Sequence, residues 1–313
     1  MRKGQEMQTS DLSENGFSPQ DITGDSASGS TGLSHEDRVE RFYSHGSEKR
    51  SGEASGFLSF GLWDDDTIDY CDSSKRLLAY VLEVSQIQNA ENILNVACGY
   101  GTETIEIFNS VQPRSIHAID ITDAHIRVAQ RCACDNNLDD KIKFQKMDAC
   151  RTTFSGELFS HIVGIEGPAH FNTREKFFSE CRRLLKPGGM LLLTDIIINH
   201  QNFMASRLKR AIGVACSKSW HMPLKNWINA EEYRKQLEEN GFTVECIHTI
   251  GNMVYPGFSR YNTRLRSIWN AIATRGIALG IGITFISWLL GLVYRKKMVD
   301  YIFVKAMKST AVS

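Results

Sequence analysis

A short apolar run that breaks into closely spaced glycines constrains this chain most. Asn92-Ile-Leu-Asn-Val-Ala97 has the length and branched side chains of a buried strand. It ends in Gly99-Tyr-Gly101, and a helical stretch follows. Glycine at such a junction supplies positive φ and lets a ligand press against bare backbone beside the helix N-terminus. A second strand pattern, Ser115-Ile-His-Ala-Ile-Asp120, ends on an acid about twenty positions further on. A carboxylate there can accept hydrogen bonds from both hydroxyls of a ribose. Gly-x-Gly alone recurs by chance; the spacing to Asp120 gives it meaning. Gly101 is followed by Thr102-Glu-Thr104, so the third glycine of the dinucleotide fingerprint is absent, which argues against a nicotinamide cofactor.

Helices and strands alternate around this turn. Ser73 or Ser74 can cap a helix carrying Leu77, Leu78, Val81 and Leu82. A helix is expected over Asp123–Asn136, a third strand over Lys141–Met147 and a fourth over Leu158–Ile165. Thr173–Leu185 reads as a helix stopped by Lys186-Pro-Gly-Gly189, and Met190–Ile198 as a fully buried strand. Ala230–Asn240 is a further helix, Phe242–Ile250 a sixth strand and Met298–Met307 a last one. Continuous apolar strands alternating with helices indicate a parallel sheet covered on both faces. Residues 202–228 read as a lid helix and loop.

The chain has 313 residues, with 36 basic and 36 acidic side chains. That balance argues against a general grip on nucleic acid, which needs a basic excess. Residues 1 to about 35 are rich in Ser, Gly, Asp and Thr and cannot bury enough apolar surface to order themselves, so a disordered tail is expected there. Order should begin near His35–Tyr43. The eight cysteines include Cys132-Ala-Cys134 but no C-x-x-C pair, so neither a metal site nor a disulfide scaffold is expected. No apolar segment follows the basic residues at the N-terminus, so no secretory signal is read and the cytosol is the expected compartment.

Residues of about 90–200 resemble the class I S-adenosylmethionine (SAM)-dependent methyltransferases. Ile93-Leu-Asn-Val-Ala-Cys-Gly-Tyr-Gly101 stands where that family reads (V/I)LD(V/I)GCGxG. Asp120 matches the acid for the ribose, and Asp148-Ala149 the acid and small neighbour near the adenine. Phe178–Asp195, with Leu-Lys-Pro-Gly-Gly, is similar to the segment entering strand five. The resemblance implies a Rossmann-like α/β fold. Its seven-stranded sheet would have order 3-2-1-4-5-7-6, with the last strand antiparallel and an α-helical lid or insertion before it. It implies SAM as cofactor, held by Asn95, Ala97, Gly99, Gly101, Asp120, Ile121, His125, Asp148, Ala149 and Ile165. Asn95 and Ala97 depart from the family's acid and glycine.

Ile165-Glu-Gly-Pro-Ala-His-Phe171 is similar to the segment after strand four in small-molecule enzymes such as the quinone, tocopherol, sterol and sugar methyltransferases. It lacks the Asn/Asp-Pro-Pro-aromatic motif of enzymes that methylate nucleic-acid bases. Ser59-Phe-Gly-Leu-Trp63 is similar to an aromatic segment that closes over the cofactor; the alternative for Trp63 is a core residue covering the sheet edge. Methyl transfer is an in-line displacement, so positioning and water exclusion supply most of the acceleration. Where the acceptor carries a proton, His170 is the candidate base, Glu166 orients cofactor or substrate, and His221 is the reserve. His117 reads as core.

Ile277–Tyr294 is 18 residues without a charge, bounded by Arg275 and Arg295-Lys-Lys297. At ~1.5 Å per residue it reaches ~27 Å, close to the hydrocarbon thickness of a bilayer. A complete crossing would strand Met298–Met307 on the wrong side of the membrane, away from its sheet. The run is therefore expected to pack on the domain, to form a hairpin dipping into one leaflet, or to lie in a membrane interface. Nine basic residues and the single acid Asp300 over 258–313 favour anionic lipid.

The domain expectation is a tail over 1–35 and one methyltransferase domain over 36–313. That domain has a SAM-binding core at about 73–200, a lid at about 201–228 and an apolar insertion at about 258–297. The functional expectation is methyl transfer from SAM to a small lipophilic metabolite by a cytosol-facing enzyme that touches the membrane peripherally. The rival is a catalytically inactive SAM-binding or membrane-associated regulatory module, permitted by Asn95 and Ala97.

Overall fold

The structure, a computed structural model, describes residues 33–44, 56–87, 90–199, 202, 206, 211, 213–214 and 220–310. Residues 33–310 belong to one compact unit. Residues 1–32 of the expected tail lie outside the described residues, as does half of the expected lid; His35 already begins a helix.

Seven strands form one sheet: β1 (Asn92–Val96), β2 (Ser115–Asp120), β3 (Ile142–Lys146), β4 (Phe159–Ile165), β5 (Leu185–Ile198), β6 (Phe242–Thr249) and β7 (Val299–Lys308). Their order is β3-β2-β1-β4-β5-β7-β6, as the resemblance implies. β1 pairs in parallel with β2 and β4, whereas β7 runs antiparallel between β5 and β6. Ile93, Leu94, Ile116, Ile119 and Ile162 are wholly buried, which is why these strands read as unbroken apolar runs.

Helices cover both faces. α1 (His35–Ser44) precedes the core; α2 (Tyr70–Ser85), α3 (Thr102–Val111) and α4 (Asp123–Asp135) follow in order. Leu77, Ile107 and Ala129 from the last three share one apolar cluster. α5 (Arg174–Leu184) and α6 (Ala230–Glu239) put Phe177, Cys181, Tyr233 and Leu237 into a second cluster on the opposite face. α6 starts with a complete capping box between Asn229 and Glu232.

Three boundaries differ from the sequence expectation. α2 begins at Tyr70 because Asp69 caps it, accepting from the Asp72 N–H, while Ser73 and Ser74 turn back to the Tyr70 carbonyl. β5 begins at Leu185 instead of stopping a helix at Lys186-Pro-Gly-Gly189. Phe159 pairs with Leu185 and His161 with Met190, so the four residues are taken up as an irregularity within the strand. The insertion starts at the end of β6 and is wholly helical: α7 (Gly251–Asn262), α8 (Leu265–Arg275) and α9 (Ile277–Arg295).

Candidate functional site

The glycine turn after β1 works as the sequence implies, with one division of labour. Gly99 has φ +53° and Gly101 φ +82°. Gly99 faces the cavity above the turn. Gly101 does not: a Cβ there would lie 2.8 Å from Ala129 Cβ and from Phe144 Cζ, so this glycine lets α3 close onto α4 and β3. Gly101 thus has a packing role in the turn. Ala97 also has φ +55°, a region that costs a non-glycine residue about 1–3 kcal/mol. Its methyl group occupies space opened by Gly167, where an added Cβ would stand 2.7 Å away.

Asp120 sits at the carboxyl end of β2, almost wholly buried. Its Oδ2 accepts from the Gly99 N–H at 3.0 Å and its Oδ1 from the Thr122 N–H at 2.8 Å. His125 Nδ1 stands 3.3 Å from Oδ1. Burial pushes this carboxyl up, but the His125 and backbone contacts outweigh it and hold the group below the ordinary Asp value. An ionised acid at the mouth of two strands, braced by the glycine turn, is a ready acceptor for hydroxyl groups.

The cavity wall brings together Ala97, Gly99, Asp120, Ile121, His125, Asp148, Ala149, Ile165, Glu166 and His170 of the expected set. Four others stay out of it. Asn95 is wholly buried, with Oδ1 accepting from the Thr104 hydroxyl at 2.7 Å and Nδ2 donating to the Val163 carbonyl at 3.2 Å. It stitches β1 to α3 and β4. Trp63 faces α7: its Nε1 donates to the Phe60 carbonyl, its ring lies 5.0 Å from Tyr261, and a Cβ on Gly257 would collide with it. Phe60, from the same segment, reaches the cavity in its place. His221 meets the lining residue Phe42 edge-on at 5.3 Å without joining the lining itself, and Gly101 is accounted for above.

Two residues gain importance that the sequence did not signal. Glu103, in the first turn of α3, lines the cavity beside Glu166. Burial, and then the neighbouring Glu166, push its carboxyl up to about 8. Glu166 is likewise pushed up to about 8, by burial first; its Oε1 accepts from the Phe60 N–H and the Tyr301 hydroxyl, both at 2.7 Å. Glu166 also holds φ +61°, a strained backbone fixed by its N–H donating to the Thr194 carbonyl. Two destabilised carboxylates in one cavity favour a cationic occupant.

Tyr43 of α1 is the second. Its hydroxyl lies 3.2 Å from His170 Nε2. His170 Nδ1 is 2.9 Å from the Trp220 carbonyl, so Nδ1 carries the hydrogen and Nε2 is the acceptor facing Tyr43. Burial pushes His170 down to about 4, which keeps it neutral. The turn Pro168–His170 is anchored from below by Asn226, whose Nδ2 donates to the Ala169 and Phe171 carbonyls. Asn226 in turn accepts from the Arg174 N–H, and Arg174 makes a two-pronged, fully buried pair with Asp195. α1 closes the cavity from above: His35 Nε2 bonds the His170 carbonyl, and Val39, Phe42 and Tyr43 join the lining.

Residues 93–189 match the family model described as a methyltransferase domain. The chain is 28% identical to the erythromycin 3''-O-methyltransferase of Saccharopolyspora erythraea over 213 residues, which cover 67% of this chain and 70% of that one. It is 30% identical over 193 residues to the mitochondrial ubiquinone biosynthesis O-methyltransferase of Rattus norvegicus, covering 58% and 54%. The chain is a class I SAM-dependent methyltransferase of the small-molecule type. The fold agrees with the solved phosphoethanolamine N-methyltransferase 2 of Haemonchus contortus, in complex with S-adenosylhomocysteine, at TM-score 0.73 and 16% identity, covering 89% of this chain and 61% of that one.

The methyltransferase's cavity has the chemistry SAM needs. SAM offers ribose hydroxyls, an ammonium and a cationic sulfonium, and this cavity offers the braced Asp120 carboxylate and the Glu103–Glu166 pair. A Cβ at Gly99 would press on Leu58 at 3.0 Å, so the glycine keeps the floor open.

Proposed function

We propose that this methyltransferase transfers the methyl group of SAM to a small lipophilic metabolite by in-line displacement. SAM supplies an electrophilic methyl carbon on a cationic sulfur. Asp120 accepts hydrogen bonds from the ribose hydroxyls, while Ile121, His125, Asp148 and Ala149 enclose the nucleoside. Ala97 and Gly99 present backbone to the methionine portion, and Glu103 meets its ammonium. Ile165 and Glu166 form the wall at the sulfonium end.

The observation that carries the reading is the braced Asp120 carboxylate opening into the same cavity as two destabilised glutamates. The departures at Asn95 and Ala97 are accommodated within the fold: Asn95 serves the strand framework, and Gly167 makes room for the Ala97 methyl group.

Val39, Phe42, Phe57, Leu58, Phe60 and Trp220 also line the cavity, and this apolar surface favours a lipophilic acceptor over a charged one. Attack through a hydroxyl oxygen leaves that oxygen strongly acidic, so a weak base suffices. The acceptor's proton passes to Tyr43 Oη as the Tyr43 proton passes to His170 Nε2. His170 thus acts through Tyr43, and Glu166 orients the reacting groups. The proposed setting is the cytosol, with residues 275–297 in contact with anionic membrane.

Supplying the protein with methyl-labelled SAM and a lipid extract tests the reading. Label should enter an extractable lipophilic product. Label confined to protein, nucleic acid or water-soluble metabolites refutes the acceptor class.

A further inference from the structure

α9 is built inside out for a helix in water. Its buried positions are Gly280, Ser287, Leu290 and Gly291, and its exposed ones include Ile277, Leu279, Ile281, Phe285, Ile286 and Trp288. Ile277 is 69% exposed and Phe285 58%, far from the burial such side chains reach in a core. A surface helix ordinarily turns its large apolar stripe inward and its polar residues outward. Here the small residues hold the inner face. A Cβ on Gly280 would lie 2.7 Å from the Ile272 nitrogen of α8, and one on Gly291 would lie 2.6 Å from Ser259 Oγ of α7. These close approaches prevent α9 from rotating to hide its outer face. α8 extends the patch with Leu265 at 77% and Trp269 at 69% exposure.

Charge identifies what covers this face. Between Glu245 and Asp300 the chain has no acid, but it has Arg260, Arg264, Arg266, Arg275, Arg295, Lys296 and Lys297. Arg264 and Arg266 stand exposed at the start of α8 and Arg295, Lys296 and Lys297 at the end of α9, so both sets lie towards the base of the hairpin, next to the apolar face. A second copy of the chain would set this basic rim against itself, whereas an anionic lipid surface complements it. Indole rings at Trp269 and Trp288 suit the boundary between headgroups and acyl chains.

We infer that the α8–α9 hairpin docks its outer face into one leaflet of an anionic bilayer. This rests on the proposed membrane contact through 275–297 and specifies its geometry. The hairpin does not span: α9 returns through Tyr294, stacked 5.4 Å from Tyr255, into β7 of the central sheet. Insertion into one leaflet satisfies both the apolar face and that tether. The hairpin and the cavity both leave the carboxyl ends of parallel strands, since β6 runs alongside β5 through the antiparallel β7. Phe60 links them, facing the cavity while its ring lies 4.9 Å from Phe258 of α7. Docking there brings the apolar acceptor end towards molecules dissolved in the membrane.

Co-sedimentation of the full chain with phosphatidylcholine vesicles, with and without phosphatidylserine, tests this. Wild type should sediment with the phosphatidylserine vesicles only. The double variant F285E/W288E should lower the bound fraction tenfold or more, with SAM affinity unchanged as the check on folding. R295E/K296E/K297E should lower it as well. No sedimentation of the wild type overturns the membrane contact itself. Sedimentation that F285E/W288E leaves intact overturns the hairpin geometry alone. A dimer in analytical ultracentrifugation that F285E/W288E converts to monomer assigns the face to a second copy and also overturns the inference. SAM binding and methyl transfer to a soluble acceptor are separate readouts, so neither outcome bears on the enzyme assignment.

Discussion

Replacing Glu103 by Gln should remove most of the pH dependence of SAM binding between pH 6 and pH 7. In the cavity Glu103 and Glu166 are pushed up to about 8 by burial, and Glu166 further raises Glu103. A group at about 8 is roughly 90% protonated at pH 7 and about 99% at pH 6. An occupant carrying an ammonium and a sulfonium stabilises the ionised form, so binding must release a proton. If one carboxyl ionises fully on binding, about 0.9 proton leaves at pH 7, and affinity rises roughly ninefold from pH 6 to pH 7. The ligand's own α-amino group, near 8, stays largely protonated across this window. Titration calorimetry in buffers of different ionisation enthalpy counts the protons directly. E103Q removes the carboxyl that meets the ammonium, while Glu166, pushed up to about 8 chiefly by burial, stays mostly protonated. The variant should therefore bind with little proton release and a nearly flat profile. S-adenosylhomocysteine, which lacks the sulfonium charge, should show a shallower rise than SAM with the wild type. A wild-type affinity that is flat from pH 6 to pH 7, with no proton released, refutes the reasoning.

Further outcomes follow from the same geometry. D120A removes a charged acceptor of two hydroxyl groups, so SAM affinity should fall by about 3 kcal/mol, roughly 150-fold, by calorimetry; unchanged affinity removes the ribose assignment. Y43F should lower kcat on a hydroxyl acceptor as H170A does while leaving the SAM Kd within a factor of two or so, and the two losses should not add if the residues form one relay. G167A sets a second methyl group against Ala97 and should cost about 1–3 kcal/mol in chemical denaturation. The compensating A97G should recover part of that loss in the double variant, and strict additivity would mean the two sites do not share the space.

The parts of this structure legible in the sequence are those made by neighbours along the chain. The turn from β1 into α3 and the acid ending β2 follow from local strand length, glycine and spacing, and Asp120 indeed meets the Gly99 N–H across adjacent strands. The strand order was legible through the family resemblance, since periodicity shows helices and strands but not who pairs with whom. Sequence pattern failed where a side chain's direction depends on distant packing. Trp63 and Phe60 share one short segment, yet α7 takes the tryptophan and leaves the phenylalanine to the cavity. Asn95 occupies a motif position, but its amide is turned to Thr104 and Val163 and touches the cavity only through Glu103. Glu103 lay in plain view two residues after Gly101; only the fold sets it beside Glu166. Tyr43 is 127 residues from His170, and no local signal announces that α1 closes the cavity. The apolar run of α9 was conspicuous, but which face turns outward depends on glycines packed against α7 and α8.

The most direct test of the central claim is the position of S-adenosylhomocysteine in crystals of the full chain grown or soaked with it. The account predicts ribose hydroxyls within hydrogen-bond distance of the Asp120 carboxylate and the homocysteine ammonium beside Glu103. A nucleoside bound elsewhere, or density that leaves Asp120 and Glu103 without contact, would contradict it.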